Sequence, residues 1–206
     1  MRIFIGMTQL PFALIISRVF IGLGIIALSI LQTENYALWI VTLMIIGLLT
    51  DVFDGIIARK LNVSTEKLRV WDSNVDLFFW LTVIGAIFYL NWPFVKGHFG
   101  WIVAVLLMES IGYLISYIKF KKPVATHSIL AKFWTITLLG FLIDLTLNTT
   151  SSAFFFICIG LGLISRLEII LIIIKLSNWA TDVPSIFSVA KINRGFPIKR
   201  NRWFNG

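Results

Sequence analysis

Apolar residues in this chain fall in long, nearly unbroken blocks separated by short polar stretches. The blocks cover roughly residues 10–31, 36–54, 72–91, 100–118, 129–147 and 152–175. Each is close to the ~20 apolar residues a helix needs to cross a bilayer core. The pattern predicts an all-α, polytopic membrane helix bundle with six transmembrane helices. Arg18 interrupts the first block and no small-x-small cleavage pattern follows it, so that block is expected to be retained as a span. With no internal repeat and no low-complexity run, residues 10–175 read as one domain with two accessory ends. Residues 1–9 are expected to form an interfacial lead-in, with Pro11 in the first turn of the helix that follows. Residues 176–206 form a basic, aromatic tail suited to a membrane surface, where rings sit at head-group depth and cations meet anionic lipid.

Composition strengthens this picture: 58% of the 206 residues are hydrophobic and 14% charged, against about 25% charged in an ordinary soluble domain. The connections near 32–35, 92–99 and 148–151 hold a single basic residue, Lys96. The opposite set holds Arg2, Arg59, Lys60, Lys67, Arg69, Lys119, Lys121, Lys122, Lys175 and the basic tail. The positive-inside rule therefore predicts cytoplasmic termini. It also accounts for the net charge of +8 through loop asymmetry and anionic membrane lipids, so no nucleic-acid partner is expected. The lone cysteine, Cys158, lies within the last span, which excludes a disulfide framework and suits a small core residue.

The polar residues that carry chemistry are four aspartates. Asp51, Asp54, Gly55 and Ala58 stand at i, i+3, i+4 and i+7, on one helix face, and Asp72 and Asp76 stand at i, i+4 on the next helix. Four carboxylates aimed at one point repel one another unless a cation lies between them. Hard oxygen donors without nearby histidine or cysteine favour Mg2+, Mn2+ or Ca2+ over zinc. Gly55 and Ala58 leave a shallow groove along the backbone, and Arg59 adds a forked cation matched to phosphate oxygens. Metal, groove and guanidinium together describe a diphosphate site at the cytoplasmic end of the bundle.

The order D-x2-D-G-x2-A-R followed by D-x3-D resembles the signature of the CDP-alcohol phosphotransferases, D-x2-D-G-x2-A-R-x8-G-x3-D-x3-D. Asp51, Asp54, Gly55, Ala58, Arg59, Asp72 and Asp76 fill every position but one, and Leu68 replaces the second glycine. The segment "LPFALIISR" resembles the opening of that family's first span, keeping Pro11 and Arg18 with Phe12 for an asparagine. "AKFWT" is similar to its G-K-x-K-T, with Ala131 for the glycine and Trp134 for the second lysine. The resemblance implies a phosphatidyltransferase of the inner membrane, its active site facing the cytoplasm and its substrates CDP-diacylglycerol and an alcohol. It implies metal ligation by Asp51, Asp54, Asp72 and Asp76, with two Mg2+ or Mn2+ ions, and Asp76 as general base. It implies CDP-lipid contacts from Gly55, Arg59 and Thr65, and a homodimer. Leu68 leaves open a lapsed lipid- or nucleotide-binding protein, and the same family includes enzymes that transfer a soluble CDP-alcohol head group to diacylglycerol.

Other charges lie within the blocks: Glu109, Lys132, Asp144, Arg166 and Glu168. Ionisable residues at membrane depth usually face the bundle interior and are candidates for function. Lys132 and Arg166 are the candidate acceptor-binding cations, suited to a phosphorylated alcohol; the alternative for Arg166 is a structural bridge to Glu109 or Glu168. A transporter would place its carboxylates near mid-membrane on broken helices, unlike the rim position expected here.

Overall fold

A computed structural model describes residues 2–196 apart from 62, 64, 125, 127, 150–152 and 182; the side chains of 2–8, 59, 66, 67, 69, 70 and 73 are also outside the description. The elements are α1 (Arg2–Leu31), α2 (Tyr36–Lys60), α3 (Glu66–Leu90), α4 (Trp92–Gly97), α5 (Phe99–Phe120), α6 (Ile129–Asn148), α7 (Ala153–Lys175), a 3-10 turn (Ile186–Ser188) and α8 (Val189–Asn193). No strand occurs among the described residues. Five stretches there are long and apolar enough to span: Gln9–Leu31, Tyr36–Ala58, Phe99–Phe120, Ile129–Asn148 and Ala153–Lys175. These coincide with five of the six expected spans. The sixth, expected at 72–91, falls in α3, whose apolar portion is the shorter Asn74–Leu90.

The chain divides into two compact units, residues 1–93 with 145–149 and residues 94–144 with 150–206. In the first, α1 packs on both α2 and α3. Its helices bury stripes at helical spacing: Pro11, Ile15, Arg18, Gly22, Ile25 and Ser29 on α1; Ile40, Met44, Gly47, Asp54 and Ala58 on α2; Val75, Phe79, Val83 and Ile87 on α3. Small residues set the approach of the helices. A side chain at Gly22 would meet the Thr82 hydroxyl, and one at Gly47 would collide with the Phe79 ring, itself 2% exposed. The α1 helix does not start at Pro11 as expected; it runs unbroken from Arg2 with Pro11 inside. The apolar run that follows the proline carries the helix past its missing N–H, as membrane helices tolerate.

In the second unit α5 packs on α7. The Lys119 ammonium donates to the carbonyls of Ile173 (3.1 Å), Ile174 (2.6 Å) and Leu176 (2.7 Å), satisfying groups the end of α7 leaves without helical partners. The tail beyond α7 is not free of the fold as far as Phe196. Val183 and Val189 bury against Ile172 and Leu176, with Phe120, Ile186 and Ile192 around them. Asn193 ties α8 back to α7, donating to the Lys175 carbonyl at 2.8 Å and accepting from the Ser177 N–H at 2.9 Å. Phe187 and Phe196 stay exposed, while the expected tail residues 197–206 lie outside the described residues.

Candidate active site

The site is built where the three buried stripes of the first unit reach its polar end. Asp51 and Asp54 continue the α2 stripe, and Asp72 and Asp76 flank Val75 at the start of the α3 stripe, so the packing of the two helices on α1 brings all four carboxylates together. At their centre lies Arg18 of α1, fully buried at 0% exposure. Its two terminal nitrogens each take one carboxylate from each helix. Nη1 donates to Asp51 Oδ1 at 2.9 Å and to Asp76, and Nη2 donates to Asp72 Oδ1 at 2.6 Å and to Asp54. A planar fork is the side chain suited to this task, since it presents several donors in fixed directions. Sequence reading treated the aspartates as lacking a counter-charge, and this residue is what it missed. The signal was present, in a lone arginine at membrane depth, which calls for an anionic partner.

The four carboxylates are not equivalent. Asp54 is 3% exposed and turned to Arg18, whereas Asp51, Asp72 and Asp76 are 38%, 35% and 30% exposed. Those three each offer a carboxylate oxygen, all within 4.8 Å of one another, a spacing that could hold a metal ion. Among the described residues, one guanidinium faces four carboxylates, which leaves three negative charges unbalanced if all are ionised. The donor set therefore fits a hard divalent cation, with Asp51, Asp72 and Asp76 as the carboxylates that would hold it.

The other expected residues fall near this cluster in sequence, with mixed outcomes. Gly55 is half-buried on α2 one residue after Asp54. The Arg59 side chain lies outside the described residues. Thr65 is exposed and caps α3: its hydroxyl accepts the Leu68 N–H at 3.2 Å. Leu68 itself is half-buried in the first turn. Phe12 of α1 meets Trp71 of α3 edge to face at 6.1 Å, just ahead of Asp72.

Lys132 and Arg166 belong to the second unit. Lys132 is half-buried in the first turn of α6. Arg166 on α7 forms an ion pair with Glu109 on α5, and its guanidinium lies 4.1 Å from the centre of the Trp134 ring. Gly162 makes room for that indole, because a side chain there would sit 2.7 Å from its nitrogen. Of the two bridges expected for Arg166, the structure forms the one to Glu109; Glu168 instead accepts the Ile186 N–H at 3.2 Å. Cys158 is buried, 3% exposed, as expected of a core residue.

The family model described as CDP-alcohol phosphatidyltransferase matches residues 8–179. No curated protein and no solved structure matches the chain.

Proposed function

Since the chain belongs to the CDP-alcohol phosphatidyltransferase family, we propose that it transfers a phosphatidyl group from CDP-diacylglycerol to an alcohol and releases CMP. The observation that supports this most directly is the convergence of Asp51, Asp72 and Asp76 as half-exposed carboxylates beside a buried Asp54–Arg18 pair. Asp51, Asp72 and Asp76 would hold Mg2+ or Mn2+, two ions in the full reading. Such cations neutralise diphosphate charge and polarise the attacked phosphorus. Gly55, half-buried on α2, keeps side-chain bulk away so that the diphosphate can approach, Ala58 is buried in the stripe packed in the core, and Arg59 and Thr65 contact the CDP part. Asp76 takes the proton from the acceptor hydroxyl; that oxygen bonds to the lipid-side phosphorus, and the bond to the CMP oxygen breaks. Lys132 and Arg166 bind a phosphate on the acceptor, which then competes with Glu109 for Arg166.

The same reading places the enzyme in the inner membrane as a homodimer with six crossings, cytoplasmic termini and a cytoplasm-facing site. The loop distribution of lysine and arginine supports the orientation. The α3 helix has 25 residues; at 1.5 Å per residue this is about 37 Å, enough for a core of about 30 Å.

The deciding experiment incubates purified protein with labelled CDP-diacylglycerol, Mg2+ and a panel of alcohols, and measures CMP. Release that depends on both metal and one alcohol supports the proposal. Binding of CDP-diacylglycerol without release under any condition would favour a lapsed enzyme, and turnover only of a soluble CDP-alcohol with diacylglycerol would reverse the donor.

Two further outcomes are expected. Leu68→Gly should weaken CDP-lipid binding and lower stability by about 1 kcal/mol, because glycine loosens the first turn of α3; equilibrium binding and thermal unfolding check it. Tighter binding would instead mean that the leucine obstructs the nucleotide. Lys132→Ala should raise the apparent KM for a phosphorylated acceptor about tenfold, the scale of one charge-assisted hydrogen bond, with CDP-lipid affinity unchanged. An unaltered KM would remove Lys132 from the acceptor site.

A further inference from the structure

Arg18 sits at the centre of a carboxylate cluster that also fits a divalent cation, and it touches one oxygen of each of the three half-exposed carboxylates. We infer that Arg18 is a resident counter-ion, which keeps the α2 and α3 carboxylates assembled and gives way when a divalent cation binds Asp51, Asp72 and Asp76. The inference deepens the proposed function and rests on metal binding at those three residues.

Three observations carry it. Each terminal nitrogen bridges α2 to α3, Nη1 through Asp51 and Asp76 and Nη2 through Asp54 and Asp72, so one side chain ties all three helices. The partners divide by accessibility: Asp54 is 3% exposed, while the other three carboxylates present open faces to an arriving ion. The remaining donor, Nε, is buried with no hydrogen-bond partner among the described residues, so the guanidinium is held from the carboxylate side alone.

Electrostatics makes the two cations antagonists. A guanidinium that donates to one oxygen each of Asp51, Asp72 and Asp76 already satisfies part of their charge, and its own charge repels a metal ion at short range. With metal bound, those carboxylates gain a doubly charged partner, and Asp54 retains Arg18 in the buried part of the site. Without metal, removing the arginine leaves four uncompensated carboxylates, the situation in which breaking a buried ion pair is most costly. Arg18 is thus a positioning residue, acting through the aspartates.

The test compares the full chain with Arg18→Met and Arg18→Lys in detergent, reading thermal unfolding in EDTA and in Mn2+, and Mn2+ affinity by electron paramagnetic resonance. Arg18→Met should melt on the order of 10 °C lower than the parent in EDTA, recover most of that loss in Mn2+, and bind Mn2+ at least tenfold more tightly. A methionine variant recoverable only when Mn2+ is present gives the same answer. If it is recovered under neither condition, Arg18→Lys decides: its ammonium cannot fork across both helices, so it should melt lower in EDTA and gain more from Mn2+ than the parent. Parental melting in EDTA, or unchanged or weaker Mn2+ binding by a folded variant, would overturn the inference. None of these readings needs turnover. Absence of CMP release would therefore defeat the enzyme reading and leave these results standing, while absence of Mn2+ binding by the parent would defeat both.

Discussion

Asp76→Asn is expected to lower turnover by about 10²–10⁴-fold, the range that a positioned general base contributes. The amide matches the carboxylate in shape and keeps one oxygen toward the cluster, but it cannot accept the acceptor's proton. Asp76 is suited to that role by position: it lies one turn after Asp72 on α3 and is 30% exposed, so a substrate hydroxyl can reach it. Its remaining contact, to Arg18 Nη1, holds the carboxylate in place. Single-turnover CMP release checks the rate, and Mn2+ binding measured on the same sample checks that the site survives. A rate within a few-fold of the parent would remove Asp76 as base.

The second large effect separates the open carboxylates from the closed one. Asp51→Ala and Asp72→Ala should each shift the metal activation midpoint by at least about 10–100-fold, since even loss of an outer-shell partner costs that much affinity. Asp54→Ala should leave the midpoint nearly in place and appear in thermal unfolding, as the loss of one buried charge-assisted hydrogen bond worth about 1.5–3 kcal/mol. The division follows from exposure, 38% and 35% for Asp51 and Asp72 against 3% for Asp54. Metal titrations and melting curves on the three variants suffice. Equal midpoint shifts in all three would mean that Asp54 ligates directly and that its contact with Arg18 is secondary.

The helical reading of the aspartates from their spacing was sound, because i, i+3 and i, i+4 are properties of one helix and need no tertiary information. The apolar blocks gave the helices for the same reason. What the sequence hid was long-range. Arg18 meets partners 33 to 58 residues away, and periodicity within one segment cannot report which distant helix a buried side chain faces. The Arg166–Glu109 pair was one of two options in sequence and needed the α5–α7 contact to resolve it. Trp134, which stands where the resembling motif has a lysine, carries no charge to advertise that its ring would support Arg166. The tail beyond α7 read as a surface-seeking appendage because its basic residues are interleaved with aromatic ones. Its apolar residues nonetheless suffice to cover the end of α7, where Ile172 and Leu176 await partners.

The buried row Val75, Phe79, Val83 and Ile87 on α3 has a consequence for how this protein tolerates insertions and deletions. That row, seated against α1 and α2, fixes the rotation of α3 about its own axis, and Asp72 and Asp76 inherit their direction from it. One residue inserted between Asp76 and Phe79 would swing both carboxylates, and Val75 with them, by about 100° around the helix and point them away from Arg18 with Phe79, Val83 and Ile87 still in place. A residue added ahead of Thr65 would leave their aim untouched and only lengthen the connection. The spacing between Asp76, the last residue of the motif, and the buried row thus acts as an angular vernier.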